Sequence, residues 1–124
     1  MPRMARILII DDDAGMRSML RETLAAAGYD VVEADGGRKG LEMHGIQPAD
    51  VILLDLYMPI QDGIETTTQF QQRYPEAKII AMSGGSLKSN LLAMVERIGA
   101  VRTLQKPFQP EEILTIIQDV LNMP

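Results

Sequence analysis

The sequence predicts an α/β fold, namely a doubly wound parallel sheet of five strands in the order 2-1-3-4-5 with five helices. Short aliphatic runs alternate along the 124 residues with segments of helical periodicity. Two of the runs, residues 7–10 and 51–54, end in aspartate and are apolar throughout, as is typical of strands buried on both faces of a parallel sheet. The connections contain helices, which favours right-handed βαβ units and three layers.

The predicted strands share a short run of aliphatic or β-branched residues. They are residues 7–10, 30–34, 51–54, 78–82 and 101–104. The predicted helices carry apolar residues three and four positions apart, a spacing that places them on one face. They are residues 16–27, 37–45, 62–74, 87–98 and 110–121. The helix at 37–45 is weakly patterned, and the apolar face of the helix at 62–74 is diluted by threonine and glutamine.

Glycine and proline mark the ends of the predicted helices. Gly28 and Gly99 follow the last apolar positions of the first and fourth helices. Pro75 ends the third helix, and Pro110 suits the first turn of the last helix. No linker or repeat interrupts this order, so we expect residues 1–124 to form a single domain with no output domain.

Composition and charge exclude several classes of protein. With 46% hydrophobic and 23% charged residues the chain is typical of a globular domain, and without cysteine it has neither disulfides nor a thiolate site. The net charge of −5 argues against binding to a nucleic acid backbone. The apolar runs are too short for membrane insertion, and we expect a cytoplasmic protein.

Polar residues collect where the predicted strands end. Asp11, Asp12 and Asp13 follow the first strand, and Asp55 follows the third; Ser83 and Lys106 follow the fourth and fifth. Ligands of doubly wound sheets bind beyond the carboxyl ends of the strands, where the strand order reverses. Strands one and three are neighbours in the predicted order, so Asp12 and Asp55 can converge. Carboxylates this close repel unless a cation joins them, and hard oxygen ligands suit Mg²⁺.

A carboxylate beside Mg²⁺ can attack phosphorus, and the transferred phosphoryl group then has three oxygens to be neutralised. The metal can bind one phosphoryl oxygen, and the Lys106 ammonium can pair with a second. The Ser83 hydroxyl, with backbone N–H groups near Gly84 and Tyr57, can serve the third. The residues at the strand ends therefore suit phosphoryl transfer to an aspartate.

Five motifs in order resemble the receiver domain of bacterial response regulators, and in particular the stand-alone chemotaxis regulators, which have a flavodoxin-like topology. The likeness spans essentially the whole chain. The motifs are Ile-Ile-Asp11-Asp12, Leu-Leu-Asp55-Leu-Tyr-Met58-Pro59, Asp62-Gly63, Met82-Ser83-Gly84 and Lys106-Pro107-Phe108. Each motif alone is weak, whereas the set in this order and spacing is specific.

The resemblance implies a role for each acidic residue of the site. Asp55 is then the phosphoacceptor. Asp12 binds Mg²⁺ directly, and Asp11 binds it directly or through water. The backbone carbonyl of Tyr57 completes the metal ligands.

The resemblance also assigns the switch residues. Ser83 takes the place of the switch hydroxyl, and Lys106 contacts the phosphoryl group, aimed by a cis peptide bond to Pro107. One position departs from the family, which usually has an aromatic residue three positions before the lysine. Here that residue is Thr103. A threonine moves little surface when it changes rotamer, so we expect the signal to depend on the loop after Ser83.

The partners implied are a sensor histidine kinase or a His-phosphotransfer protein as the donor, and a downstream effector. The family usually contacts its targets through helix four, strand five and helix five. Such a domain is a phosphorylation-controlled switch and no turnover enzyme, because it catalyses only its own phosphorylation and dephosphorylation.

Other interpretations of the same residues stay open at this point. Asp11 and Asp13 could form the D-x-D pattern of a Mg²⁺-dependent phosphohydrolase of the haloacid-dehalogenase type, although Gly15 stands where that class needs threonine or valine. A flavodoxin-like flavin carrier needs a neutral loop after strand one. A non-phosphorylated, receiver-like interaction module is a third alternative. We expect Asp13 to cap the first helix and His44, the only histidine, to lie at the surface.

Overall fold

The computed structural model describes residues 4–56, 60–84 and 89–124; for residues 60–62 and 89–91 only the backbone is described. The described strands are β1 (Arg6–Ile10), β2 (Asp30–Ala34), β3 (Val51–Asp55), β4 (Ile79–Ser83) and β5 (Ala100–Gln105). The described helices are α1 (Ala14–Ala26), α2 (Gly37–Ile46), α3 (Ile60–Arg73), α4 (Ser89–Ile98) and α5 (Pro110–Leu121). Among these helices, none is long and apolar enough to cross a membrane.

The strands form one parallel sheet in the order β2-β1-β3-β4-β5, which confirms the predicted fold class. β1 and β3 are central neighbours, with Ile10 opposite Leu54. Both strands are almost entirely buried, as their unbroken aliphatic runs predict. The residues that follow β1 and β3 therefore leave the sheet side by side.

The element boundaries lie within a few residues of those predicted. Both α1 and α3 begin two residues earlier than predicted, at Ala14 instead of residue 16 and at Ile60 instead of residue 62. Gly28 follows α1 with φ of 95°, the left-handed conformation that favours glycine at a helix end. Pro110 occupies the first turn of α5. Leu87, predicted as the start of the fourth helix, lies outside the described residues.

Two apolar clusters pack on opposite faces of the sheet. On one face, side chains of α1 and α5 such as Leu20 and Ile117 pack against β1, β3 and β4. On the other, Leu41 of α2, Phe70 of α3 and Val95 of α4 cover the alternate residues of the same strands. Residues of β1 and β3 alternate between the clusters, which is why both faces of each strand are apolar. The strands that lead to the carboxyl edge of the sheet are thereby packed on both faces.

Threonines on the buried face of α3 have their hydroxyl groups paired. Thr67 is fully buried, and its Oγ1 donates to the carbonyl oxygen of Gly63 at 2.9 Å. Thr68 Oγ1 donates to Ile64 O at the same distance. These bonds to the preceding turn explain how a helix with a thin apolar face can still pack on the sheet.

Two glycines allow the backbone of α2 to lie close to neighbouring elements. A Cβ atom at Gly37 would collide with the side chain of Thr66 on α3, and a Cβ at Gly40 would collide with Ile10 on β1. Glycine lowers helix propensity, so the stability of α2 depends on these tertiary contacts. The weak pattern of this segment in the sequence reflects that close packing.

His44 is buried, so its predicted surface position is wrong. Only 5% of the residue is exposed, and the ring makes edge-on contacts with Phe70 and Tyr74. Its Nδ1 accepts a hydrogen bond from the backbone N–H of Ala49 at 3.0 Å. Burial lowers the pKa of His44 below its ordinary value of 6.5, because the charged ring loses its hydration.

Acid should therefore destabilise the fold through His44. In the unfolded chain the imidazole takes up a proton as the pH falls through about 6.5, whereas in the fold it does so only at lower pH. The unfolded state binds more protons in that window, so the free energy of unfolding falls below pH 6.5, by at most about 1.4 kcal/mol per pH unit. Urea unfolding between pH 7.5 and 5.5 measures the slope.

The matched variant is His44→Asn, whose amide oxygen can accept the same bond from Ala49 but does not titrate. We expect a shallower dependence of unfolding free energy on pH for this variant. Equal slopes for the native chain and His44→Asn would show that His44 does not contribute to the pH dependence of stability.

Candidate functional site

Four strands deliver polar side chains to one edge of the sheet. Asp11 follows β1, Asp55 ends β3, Ser83 ends β4 and Lys106 follows β5. Because the strands are parallel and pair in that order, their carboxyl ends lie next to one another. One oxygen from each of Asp11, Asp12 and Asp55 lies within 4.8 Å of the others. The convergence of carboxylates predicted from the sequence is thus present.

Lys106 supplies positive charge between the two buried carboxylates. Its Nζ lies 3.2 Å from Asp11 Oδ2 and 3.2 Å from Asp55 Oδ1. Asp11 is fully buried, Asp55 is nearly so, and the Lys106 side chain is 16% exposed. This burial strengthens the interactions relative to a pair in water. The Lys106 backbone N–H donates to Ser83 O at 2.7 Å, and the peptide bond to Pro107 is cis, as the resemblance implies.

Asp11 is held at every polar atom. Its N–H donates to Ala34 O at 3.1 Å, and its own carbonyl oxygen accepts from Arg17 Nη1 at 2.7 Å. Oδ1 accepts from the N–H of Asp13 at 2.9 Å, and Oδ2 from Lys106 at 3.2 Å. Such complete pairing is what a fully buried carboxylate requires.

Burial raises the pKa of the Asp11 carboxyl above its ordinary value of 3.8. The bond from the Asp13 N–H opposes that rise, the negative charge of Asp55 adds to it, and Lys106 opposes it. The net direction shows that the cations and donors around Asp11 do not fully compensate for the loss of water. A further cation at this point would stabilise the ionised carboxylate.

Asp12 differs from its neighbours because it is exposed. It lies at one end of an open cleft of about 800 Å³ that runs between the β2–α2 connection and α3. The site therefore combines two buried carboxylates with one that faces solvent. This arrangement leaves room for water beside the protein oxygens.

The donor set fits Mg²⁺. All three candidate ligands are carboxylates, the hard oxygen donors that this ion prefers, and the exposed side of Asp12 provides the space that Mg²⁺ needs because it usually retains several waters. Asp11, Asp12 and Asp55 are the described residues that can hold it. The carbonyl of Tyr57, predicted as a further ligand, lies outside the described residues.

Ser83 places a buried hydroxyl at the carboxyl end of β4. The residue is fully buried, and its Oγ has no hydrogen-bond partner among the described residues. Such an atom is costly, and in folded proteins it commonly marks a functional position. It lies at the end of β4, between the strand that ends in Asp55 and the strand that leads to Lys106.

Asp13 caps α1, as predicted. Its Oδ1 accepts hydrogen bonds from the N–H groups of Gly15 at 2.9 Å and Met16 at 3.4 Å. The third aspartate of the run therefore begins the helix. Arg17 is not predicted from the sequence, in which its one signal is its place four residues after Asp13.

The chain matches the family model described as "Response regulator receiver domain" over residues 7–118. It belongs to this family. Among curated relatives, the chemotaxis protein CheY of Thermotoga maritima is 34% identical over 116 residues, covering 93% of this chain and 96% of CheY. CheY of Bacillus subtilis is 35% identical over 118 residues, covering 94% and 98%. The crystal structure of CheY4 of Vibrio cholerae superposes with a TM-score of 0.88 at 32% identity, covering 95% and 99%.

A receiver domain of response regulators is a signalling switch controlled by phosphorylation, and it is not a classical enzyme. The family match does not favour a phosphohydrolase or a flavin carrier. In this receiver the acidic cluster agrees with the Mg²⁺-binding acidic pocket of the family.

The hydroxyl of Ser83, for which the described part of the chain offers no partner, should contribute nothing to the stability of the receiver without its ligands. We expect Ser83→Ala to leave the free energy of unfolding unchanged or to raise it by up to about 1 kcal/mol, since a buried polar group without a partner is removed. Chemical unfolding in the absence of Mg²⁺ measures this.

Thr67→Val is the matched control, because it removes a buried hydroxyl that does have a partner, the carbonyl oxygen of Gly63. This change should lower the free energy of unfolding by about 1 kcal/mol. A loss in Ser83→Ala as large as that in Thr67→Val would contradict the unpaired state of Ser83.

Proposed function

We propose that this receiver accepts a phosphoryl group on Asp55 while Mg²⁺ is held by Asp11, Asp12 and Asp55, together with the carbonyl of Tyr57. The observation that carries the proposal is the position of Lys106, whose ammonium lies 3.2 Å from both Asp11 and Asp55. Positive charge is thus placed where a phosphoryl group on Asp55 would bring more negative charge. The bound metal would neutralise phosphoryl oxygens and reduce the repulsion between the carboxylates.

Asp55 acts as the nucleophile. Its ionised carboxylate needs no general base, because the attacking oxygen carries no proton. When the donor is a phosphohistidine, the new P–O bond forms as the P–N bond breaks, and the departing histidine nitrogen keeps the electron pair. Hydrolysis reverses the modification, since water adds to phosphorus and the Asp55 carboxylate leaves, releasing inorganic phosphate.

Lys106 and Ser83 bind the transferred group. Lys106 has two carboxylate partners in the unmodified protein, and it can exchange one of them for a phosphoryl oxygen without leaving the site. Ser83 brings a hydroxyl that has no described partner, and donation to a second phosphoryl oxygen would satisfy it. The domain in this way catalyses its own phosphorylation and dephosphorylation and no other reaction.

The proposed donor is a sensor histidine kinase or a His-phosphotransfer protein, and the proposed location of this receiver is the cytoplasm. The proposed output surface comprises α4, β5 and α5, whose position depends on Ser83 and Lys106 because both residues adjoin β5. Phosphorylation would shift an equilibrium between inactive and active conformations of this surface, which a downstream effector then recognises.

Phosphorylation should depend on Asp55 and on the metal. After incubation with acetyl phosphate and Mg²⁺, we expect intact-mass analysis to show one added phosphoryl group that hydroxylamine removes, as an acyl phosphate requires. Asp55→Asn should gain none, because an amide is not a competent nucleophile, and chelation of Mg²⁺ should prevent labelling of the native chain.

The control is Asp35→Asn, an exposed aspartate on the same cleft as Asp12 but outside the acidic cluster. It should be labelled as fully as the native chain. Equal labelling of Asp55→Asn would refute the assignment of the acceptor. Failure of the native chain to accept a phosphoryl group from either acetyl phosphate or a phosphorylated histidine kinase would favour the non-phosphorylated interaction module.

The conformational response should not depend on an aromatic rotamer. Thr103 lies on β5 opposite Ala81 and is half-buried, so a change in its rotamer alters little exposed area. We expect amide chemical shifts of residues 83–105 to change when the native chain is phosphorylated, with the largest changes near Ser83. NMR spectra of the native chain and Asp55→Asn under identical donor conditions test this, and unchanged shifts over that range would rule out the proposed signal.

A further inference from the structure

Arg17 contacts the acidic site, although it is not one of the residues to which a role in phosphoryl transfer is assigned. Its guanidinium donates through Nη1 to the carbonyl oxygen of Asp11 at 2.7 Å, and through Nε to Glu33 Oε1 at 3.3 Å. Glu33 lies on β2, the edge strand next to β1. Arg17 therefore connects the peptide that precedes Asp12 to the edge of the sheet.

This connection completes the restraint of Asp11. The other contacts come from Ala34, from the Asp13 N–H and from Lys106, whose ammonium is shared with Asp55. When a phosphoryl group draws Lys106 away from Asp11, the contact of Arg17 with the Asp11 carbonyl does not depend on that lysine. The Asp11 carbonyl and the Asp12 nitrogen belong to the same peptide group. The orientation of this group therefore sets where the side chains of Asp11 and Asp12, and hence their carboxylates, leave the backbone.

We propose that Arg17 is a positioning residue for the metal site, which holds the Asp11–Asp12 peptide in a binding-ready orientation and so raises the affinity for Mg²⁺. This inference rests on the proposed function of the same site. It assigns no contact between Arg17 and the metal or the phosphoryl group. Residues that orient metal ligands commonly change metal affinity by tenfold or more when they are replaced.

The charge of Arg17 acts in the opposite direction, because a cation near the site repels Mg²⁺. Glu33 reduces that repulsion by pairing with the guanidinium, and salt screens what is left. At 0.3 M KCl the loss of orientation should exceed the relief of repulsion, so that removal of Arg17 weakens binding.

Arg21 provides a matched control. It lies one turn further along α1 and pairs with the same glutamate, but its other described contact is with Val31 O, away from the acidic run. Like Arg17→Met, Arg21→Met therefore removes one positive charge and one ion pair with Glu33. Unlike Arg17→Met, it leaves the hydrogen bond to the Asp11 carbonyl in place.

The test is Mg²⁺ titration by calorimetry at 0.3 M KCl, together with the ¹³C chemical shift of the Asp11 carbonyl in metal-free protein. We expect Arg17→Met to raise the Mg²⁺ dissociation constant about tenfold and to move the Asp11 carbonyl resonance upfield, since its hydrogen bond is lost. Arg21→Met should stay within about twofold of the native chain and leave that resonance in place. Circular dichroism identifies any variant that fails to fold, and Arg17→Gln then replaces Arg17→Met.

The outcomes separate this inference from the proposed function. Equal Mg²⁺ affinity of Arg17→Met and Arg21→Met would overturn the positioning role while leaving the metal site intact. An Asp11 carbonyl shift that does not change in Arg17→Met would overturn it as well. No binding of Mg²⁺ by the native chain would refute the proposed metal site and, with it, the role of Arg17.

Discussion

Mutual repulsion of carboxylates at the ends of the two central strands is the constraint around which the functional edge is built. Asp11 and Asp55 are buried next to each other, where water cannot weaken the repulsion. Lys106 balances it in the described structure, at 3.2 Å from each. The strand order matters for this reason. The neighbouring strands β1 and β3 bring Asp11 and Asp55 together, and the segment that follows β5 places the Lys106 ammonium beside both.

The site distributes its hydrogen bonds unevenly. Asp11 has a hydrogen-bond partner at each of its four polar atoms, whereas Ser83, equally buried, has a hydroxyl without a described partner. A group with partners at every polar atom is held in place, and a hydroxyl without one gains most from a new acceptor. The contrast separates the part of the site that keeps its geometry from the part that can respond to an added anion.

The sequence predicts the sheet and the position of the site well because both depend on local patterns. Apolar runs ending in aspartate define β1 and β3, and parallel connections then bring their ends together. The buried position of His44 could not be predicted, because it depends on contacts between distant segments. His44 is buried against Phe70 of α3 and Tyr74, the residue that follows α3, and nothing within the glycine-rich α2 indicates which of its own residues face α3.

Arg17 shows the same limit at the site. A lone arginine in the first turns of a helix resembles any solvated charge. Its bond to the Asp11 carbonyl depends on how the chain turns from β1 into α1, and its bond to Glu33 depends on the packing of α1 beside β2. Tyr57 and Leu87, which the sequence placed in functional or helical positions, lie outside the described residues. The acidic residues were predictable because their type and spacing already imply chemistry, whereas supporting residues carry no such signature.

The order of the sheet leaves two edge strands, β2 and β5, with backbone N–H and C=O groups that could pair with a strand of another molecule. β2 carries Asp30 and Glu33, each paired with an arginine, and β5 carries the exposed Arg102. Charged side chains on edge strands oppose such pairing. The charged residues of β2 and β5 thus also oppose the addition of a further strand to this open parallel sheet.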